Sequence, residues 1–407
     1  MIFGLLAFVF RLSSRREMNR ELTGAVINHH LQKIFPELDS IPHADTLARL
    51  LEKVNTTEIE CAHIALIKHL IISKKFKKLL INGCLPITID GCQKLVRNGL
   101  LHDSHWLQRT VGSNESKTAQ QYVYTIEANI PLKNGLNIPL LSEYLSMGNN
   151  QLINQQSKQD CELNAFDRLA DRLKSYFPRL KIILFMDALY ATQSVMGVIH
   201  KYHWEYVIKF SKNKLKHFAK LLNKKKETKA IIPQQPCYRG RRQEFYWVNN
   251  IEYGYDWQLK VSLVACLERR EEVNKLTGAI EANYSEHTWI SSLPISINTV
   301  HELLNLGARK KEAIEDSINT EKNRGYHYKH LFSHHWNAMK GFHLLMRLGH
   351  AMNALSQFTK KLKHYVKMNG SSATLKFIKE ILFSPWLTDA WYEAQYNKTH
   401  QLRFQME

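Results

Sequence analysis

Two short apolar runs that each end on an aspartate, LPITID at 85–90 and KIILFMD at 181–187, constrain the fold of this chain most. Each is short, rich in apolar residues and bounded by a breaker, with Gly91 after the first and Pro178 before the second, which is the pattern of a buried strand. Between them, QYVYTIEANI at 121–130 alternates across two faces, and the turn-like KNG at 133–135 leads into NIPLL, so two further strands are expected as a hairpin. Residues 160–176 then carry Leu163, Phe166, Leu169 and Leu173 at helical spacing. A helix over 194–202 and the strand WEYVIKF complete the order β-β-β-α-β-α-β. That order predicts an α/β fold, a mixed sheet flanked by helices, with Asp90 and Asp187 at the carboxyl ends of neighbouring strands.

The remaining segments divide the chain further. Residues 1–80 read as a helical N-terminal region and a candidate DNA-binding segment. Residues 81–211 and 294–350 are the two parts of the core, 212–293 a Lys-rich and β-rich insertion, and 351–407 a helical tail. Strand-like EFYWVN, QLKVSLVAC and HTWISSL lie in the insertion, and Leu344, Leu345, Leu348, Met352 and Leu355 at helical spacing make 342–358 an amphipathic core or partner helix.

Fifty-six Lys and Arg against 37 Asp and Glu leave a formal charge of +19, which favours a polyanionic partner through counterion release. The other partner of a basic protein is an anionic membrane, but the one long apolar run, residues 1–10, is too short to span a bilayer. No positive charge precedes it, and Arg11, Arg15 and Arg16 stand where a signal peptide would be cleaved. No membrane partner is expected and the protein reads as cytoplasmic and DNA-associated, with docking of this segment on a membrane or partner as the alternative. Six scattered cysteines form no paired short spacing, against both a disulfide framework and a zinc site.

A single acid at a strand end is most often a cap or turn residue. Two on neighbouring strands repel unless a cation lies between them, and their hard oxygens suit Mg²⁺, with Mn²⁺ as substitute. Two such ions clamp the attacking and leaving oxygens of a phosphoryl displacement, a site that normally needs a third carboxylate. The candidate is Glu315, on a helix expected to begin near Ala308 and stop around Gly325, where Lys311, Glu315 and Lys322 share one face. Taken alone, Lys311 and Glu315 also read as a solvated i,i+4 ion pair.

Four blocks in order, TIDG at 88–91, SKQDCELNAFDRLADRL at 157–173, LFMDALYA at 184–191 and IEDSINTEKNRGYHYKH at 314–330, resemble insertion-sequence transposases of the Asp-Asp-Glu class. The group is the one with a β-rich insertion and a Tyr-Arg-Glu-Lys signature, and the likeness spans roughly 41–348. Glu315 and Lys322 reproduce the signature's last spacing, whereas Lys311 stands in place of its Arg and Ala308 in place of its Tyr. The resemblance implies an RNase H-like core, with Asp90, Asp187 and Glu315 as catalytic metal ligands. It also implies DNA contacts from Lys311, Lys322 and Arg324, with Lys311 binding phosphate as a point charge without Arg's bidentate grip. It implies cleavage at terminal inverted repeats of double-stranded DNA, attack of the freed 3′-hydroxyl on target DNA, and at least a dimer to pair two ends. A catalytically inactive or nuclease-only DNA-binding derivative of a mobile element is the alternative.

Four weaker signals stand beside these. Asp160 most simply caps the helix that begins there, with a site-proximal role for Asp160 and Glu162 as the alternative that the family-like block leaves open. The Lys-rich stretch 212–229 reads equally as a DNA track or a solvated face. Arg239, Arg241 and Arg242 before Phe245, Tyr246 and Trp247 offer a base-stacking platform, although strand core is the expected role of those aromatics. His330 and His334 have one-turn spacing without a matching acid or cysteine, so they read as surface or DNA-facing residues.

Overall fold

Alternate residues of the second apolar run divide between two cores, which is what a strand buried on both faces requires. In the computed structural model, Ile182, Leu184 and Met186 join one apolar cluster, while Ile183 and Phe185 join another. The structure describes residues 1–12, 14–99, 105–112, 117–132, 135–145, 161–210, 216, 220–223, 240–253, 259–273, 278 and 280–396.

Among the described residues nine strands form one mixed sheet. Strand β1 (Leu85–Asn98) lies between β3 (Thr118–Pro131), to which it is antiparallel, and β5 (Ile182–Met186), to which it is parallel. Strands β2 (Leu107–Val111) and β4 (Asn137–Tyr144) both pair antiparallel with β3, and β6 (Glu205–Lys209) lies parallel beside β5. Helices α6 (Glu162–Tyr176) and α7 (Gln193–Lys201) connect these strands, giving the expected order with β2 added. The strands of the 212–293 segment, β7 (Arg242–Tyr253), β8 (Leu259–Val273) and β9 (Ile280–Ser291), extend the same sheet, because β9 pairs antiparallel with β6. Phe245 and Tyr246 are buried there and Trp247 packs on the same core, so the stacking-platform reading gives way to core. Arg239 and most of the Lys-rich stretch lie outside the described residues.

One face of the sheet is covered by α6, α7 and α5 (Thr56–Ile72), whose Ile64, Ile67 and Leu70 meet Ile87, Ile89, Phe166 and Ile199. The other face carries α8 (Glu312–Asn323) and α9 (Trp336–Ser356). Helix α1 (Ile2–Val9) also packs there: Phe3, Ala7 and Phe8 are buried, and the Phe8 ring meets Phe342 edge-on at 4.7 Å. The apolar start of the chain is therefore satisfied within the fold, which corrects its alternative reading as a membrane or partner anchor. Among the described residues no helix is long and apolar enough to cross a membrane.

Two boundaries differ from expectation. Strand β1 does not stop at Asp90 but continues to Asn98 through its ladder with β3, bending at a bulge between Gln93 and Leu95 that turns Lys94 inward. The Glu315 helix does not begin near Ala308. A π-helical turn (Glu302–Gly307) and a 3₁₀ turn (Ala308–Lys311) precede α8.

Two buried histidines make the fold pH-sensitive. Burial, as the leading influence, lowers His63 to about 3 and His343 to about 4, against an ordinary value of 6.5. Both rings are neutral in the folded chain and accept a proton on unfolding below pH 6.5, so their contribution is present above that pH and lost as pH falls toward 4. We expect a loss of about 2–3 kcal/mol between pH 7 and 5.5. Denaturation midpoints across that range test it, and a flat profile would mean that the rings are charged in the native state.

Candidate functional site

The parallel register between β1 and β5 ends at Thr88 opposite Phe185. Two residues further along each chain come Asp90 and Asp187, at one level and on one face of the sheet, because side chains two apart on a strand point the same way. Here β1 parts from β5 while staying paired with β3, and the opening between the strands is where an α/β sheet receives a ligand. Asp187 leaves the strand as the cap of a 3₁₀ turn (Ala188–Tyr190), its Oδ1 accepting the Leu189 N–H at 2.9 Å. Asp90 Oδ1 accepts the Gly91 N–H at 3.1 Å.

The π and 3₁₀ turns carry the third acid over this opening. Gly307 allows the approach: a Cβ there would lie 2.5 Å from the Phe185 ring. Lys311 then places its ammonium 3.3 Å from Asp90 Oδ2 and 2.9 Å from Glu315 Oε1. The expected i,i+4 ion pair is thus present, and the same ammonium also reaches the strand acid. Asp187 adds to the field felt by both Asp90 and Lys311.

Electrostatics agree with that geometry. Burial, the largest influence, raises the Asp90 carboxyl; Lys311 draws it back, and the charges of Asp187 and Glu315 push it up again. Burial opposes the charge on Lys311, but Asp90 and Glu315 outweigh it and raise its ammonium above the usual range. Asp90, Asp187 and Glu315 supply the hard oxygen donors a divalent cation takes, and they are the residues that could hold one here, with Glu315 the most exposed of the donors. No group of three His, Cys, Asp or Glu side chains is drawn together at metal-binding distances among the described residues, where Lys311 lies between two of the acids.

Lys322, two turns beyond Glu315, lowers the thiol of Cys92 against the stronger upward effect of burial. Cys92 shares the Asp90 face of β1, so Lys322 lines the same side of the sheet. Arg324 does not join them: it ends α8 and lines a groove of about 350 Å³ with Arg11, Asp316 and Thr320. The structure thus brings together Asp90, Asp187, Glu315 and Lys311, sets Lys322 alongside, and places Arg324 elsewhere.

Sequence reasoning missed one feature outright and, for a second, named the residue without its partners. Behind the site, Glu127 pairs across from Asp90 in the sheet and joins a buried network with Lys94, Glu321, His343 and Arg347. The second is Glu162, in the first turn of α6, which accepts hydrogen bonds from Tyr124 at 2.6 Å and Tyr190 at 3.0 Å. Its signal was Gly91, where a Cβ would stand 2.6 Å from the Glu162 carboxyl carbon. The cap of α6 is Cys161, with no side-chain bond, and Asp160, expected as that cap, lies outside the described residues.

The described strands and helices support Arg309 from the insertion side. Its guanidinium meets the buried Glu268 of β8 at 2.7 Å, and Arg241 meets the same carboxylate at 2.9 Å. Strand β8 therefore grips the turn two residues before Lys311.

No family model matches the sequence, and no curated protein matches it. Among solved structures, the chain is similar to the piggyBac transposase in its synaptic complex with hairpin DNA, at 9% identity and a TM-score of 0.36, over 97% of this chain and 82% of that one.

Proposed function

We propose that the chain is a DNA transposase of the Asp-Asp-Glu type, built on an RNase H-like core, that cuts element ends and joins the 3′-hydroxyl to target DNA. The observation that carries this reading is the shared level of Asp90 and Asp187 on adjacent strands, with Glu315 delivered opposite them through Lys311. The strand order β4-β3-β1-β5-β6, with three antiparallel and two parallel members, supports the core assignment. In this reading 81–211 and 294–350 form the core, 212–293 the insertion, 1–80 the candidate end-binding region and 351–407 the tail.

Asp90, Asp187 and Glu315 would hold Mg²⁺ or Mn²⁺, and the chemistry such an ion would supply is activation of water and stabilisation of the charge that develops on phosphate oxygens. The protein's own groups do the rest. The strand and helix backbones fix the carboxylates, Lys311 balances Asp90 and Glu315 and offers its ammonium to a phosphate oxygen, and Lys322 extends positive charge along the duplex. Water attacks the phosphodiester at the element end and the bond to the 3′-oxygen breaks, with a proton from the water passing to that oxygen; the freed 3′-hydroxyl then attacks a target phosphodiester, and as its bond to phosphorus forms the bond to the target's own 3′-oxygen breaks and that oxygen takes up the proton. The net charge of +19 supports double-stranded DNA as partner, and pairing of two ends calls for a dimer on DNA.

The test is cleavage of labelled DNA carrying the flanking terminal repeats, with Mg²⁺ or Mn²⁺ against EDTA. We expect metal-dependent nicking followed by strand joining, both lost in Glu315→Gln. Nicking without joining would favour a nuclease, and binding without either an inactive derivative.

A further inference from the structure

We propose that Glu162 is a positioning residue for the candidate site, holding Asp90 and Asp187 at their spacing from the reverse face of the sheet. The inference rests on the reading that these two acids share a metal-dependent site.

Gly91 follows Asp90, so its missing side chain would point to the opposite face, and the Glu162 carboxylate fills that space: a Cβ at Gly91 would lie 2.6 Å from its Cδ and Oε2. Tyr124 pairs across from Gln93, two residues beyond Gly91, and so shares the reverse face. It donates to Glu162 Oε1 at 2.6 Å. Tyr190 closes the 3₁₀ turn that Asp187 caps, and donates to Oε2 at 3.0 Å.

Each carboxylate oxygen therefore serves one tyrosine, and each tyrosine belongs to a different element. Tyr124 fixes the β1–β3 ladder that carries Asp90, and Tyr190 fixes the turn that carries Asp187. Beyond Thr88 the direct pairing of β1 with β5 has ended, so nothing in that ladder sets the distance between the two acids. The Glu162 bridge supplies the link. A first-turn acid commonly serves the helix dipole alone, but that role needs neither tyrosine nor the glycine.

The experiment uses the full chain and compares Glu162→Gln, Glu162→Ala, Tyr190→Phe and the Tyr124→Phe/Tyr190→Phe double variant. Mn²⁺ affinity is measured without DNA, kcat and KM are measured on terminal-repeat DNA, and melting temperature confirms folding. Glu162→Ala and the double tyrosine variant should each lower kcat and Mn²⁺ affinity by about 10–100-fold with KM for DNA unchanged. Glu162→Gln, which keeps one acceptor oxygen, should lie between them and the native protein, as should Tyr190→Phe, the mildest change. Full activity and affinity in both tyrosine variants would overturn the proposal. So would a Glu162→Gln as damaged as Glu162→Ala beside intact tyrosine variants, which would make Glu162 a direct ligand. If the native protein itself neither binds Mn²⁺ nor cleaves, the underlying reading falls and the proposal with it.

Discussion

If the proposed reading holds, Asp90→Asn should lower metal-dependent strand cleavage by at least about 10²–10³-fold, without unfolding the protein or weakening its hold on DNA. The size follows from removing one charged ligand from a site whose bound ion would be asked to supply several kcal/mol, at about 1.4 kcal/mol per tenfold in rate. The specificity follows from the structure. Asn keeps the shape of Asp and an oxygen for the Gly91 N–H, so strand geometry survives. Burial and the neighbouring acids raise the Asp90 carboxyl, so its ionised form costs the metal-free fold stability. By linkage, an acid whose folded value lies above its unfolded one destabilises as pH rises through that interval and stays unfavourable at neutrality. The variant should therefore melt no lower than the native protein, offset in part by the loss of the Lys311 pair. Cleavage is measured with Mg²⁺ on terminal-repeat DNA, DNA affinity by a shift assay, and stability by thermal denaturation. Retained cleavage would remove Asp90 from the site, and a collapsed melting temperature would make its role structural.

The parts of this fold that were legible in the sequence are those whose burial is written locally. A parallel strand covered on both faces shows as a continuous apolar run, so 85–90 and 181–187 disclosed both strands and the aspartates that follow them. The continuation of β1 to Asn98 was hidden, because CQKLVRN mixes buried and exposed residues across a bulge and follows neither period. The helix spacing of Lys311 and Glu315 was readable, but not the π and 3₁₀ turns before it, since those residues differ only in which carbonyl each N–H reaches. The partners of Glu162 escaped for a similar reason: an acid in a first helical turn looks like a dipole partner until Tyr124 and Tyr190 are brought to it from other elements. The charged network behind the site was least legible of all, as Glu127, Glu321 and Arg347 are far apart in sequence and each, taken singly, reads as a surface residue.

That network carries the second large effect: Arg347→Ala should cost about 3–5 kcal/mol and leave a protein that melts far below the native one. Arg347 is 1% exposed and sits on α9, against the face of the sheet that bears Asp90. Its guanidinium meets Glu321 of α8 at 3.1 Å, Glu127 of β3 at 3.2 Å, and the Asn129 side chain at 2.5 Å. Lys94 donates to the Tyr328 carbonyl at 2.7 Å and reaches His343 Nδ1 at 3.1 Å, which leaves Nε2–H of a neutral ring to face Glu127 at 3.3 Å. Two buried acids thus meet two buried bases, and the neutral imidazole completes the set. Burial opposes the charges of Glu127 and Glu321, but Arg347 and the histidines beside them hold both carboxyls below the usual range. Removing Arg347 takes away the one guanidinium that both carboxylates share and leaves them desolvated beside Lys94, His343 and His350. Arg347→Lys should recover part of the loss, since an ammonium restores charge but cannot serve both acids and Asn129 from one planar fork. Chemical denaturation of the three proteins measures this, and equal stability of all three would show that the network contributes shape alone. Because Glu321 lies on the helix of Glu315 and Glu127 lies opposite Asp90, the same substitution loosens both walls of the site. Residual folded Arg347→Ala should therefore cleave DNA more slowly than its folded fraction predicts.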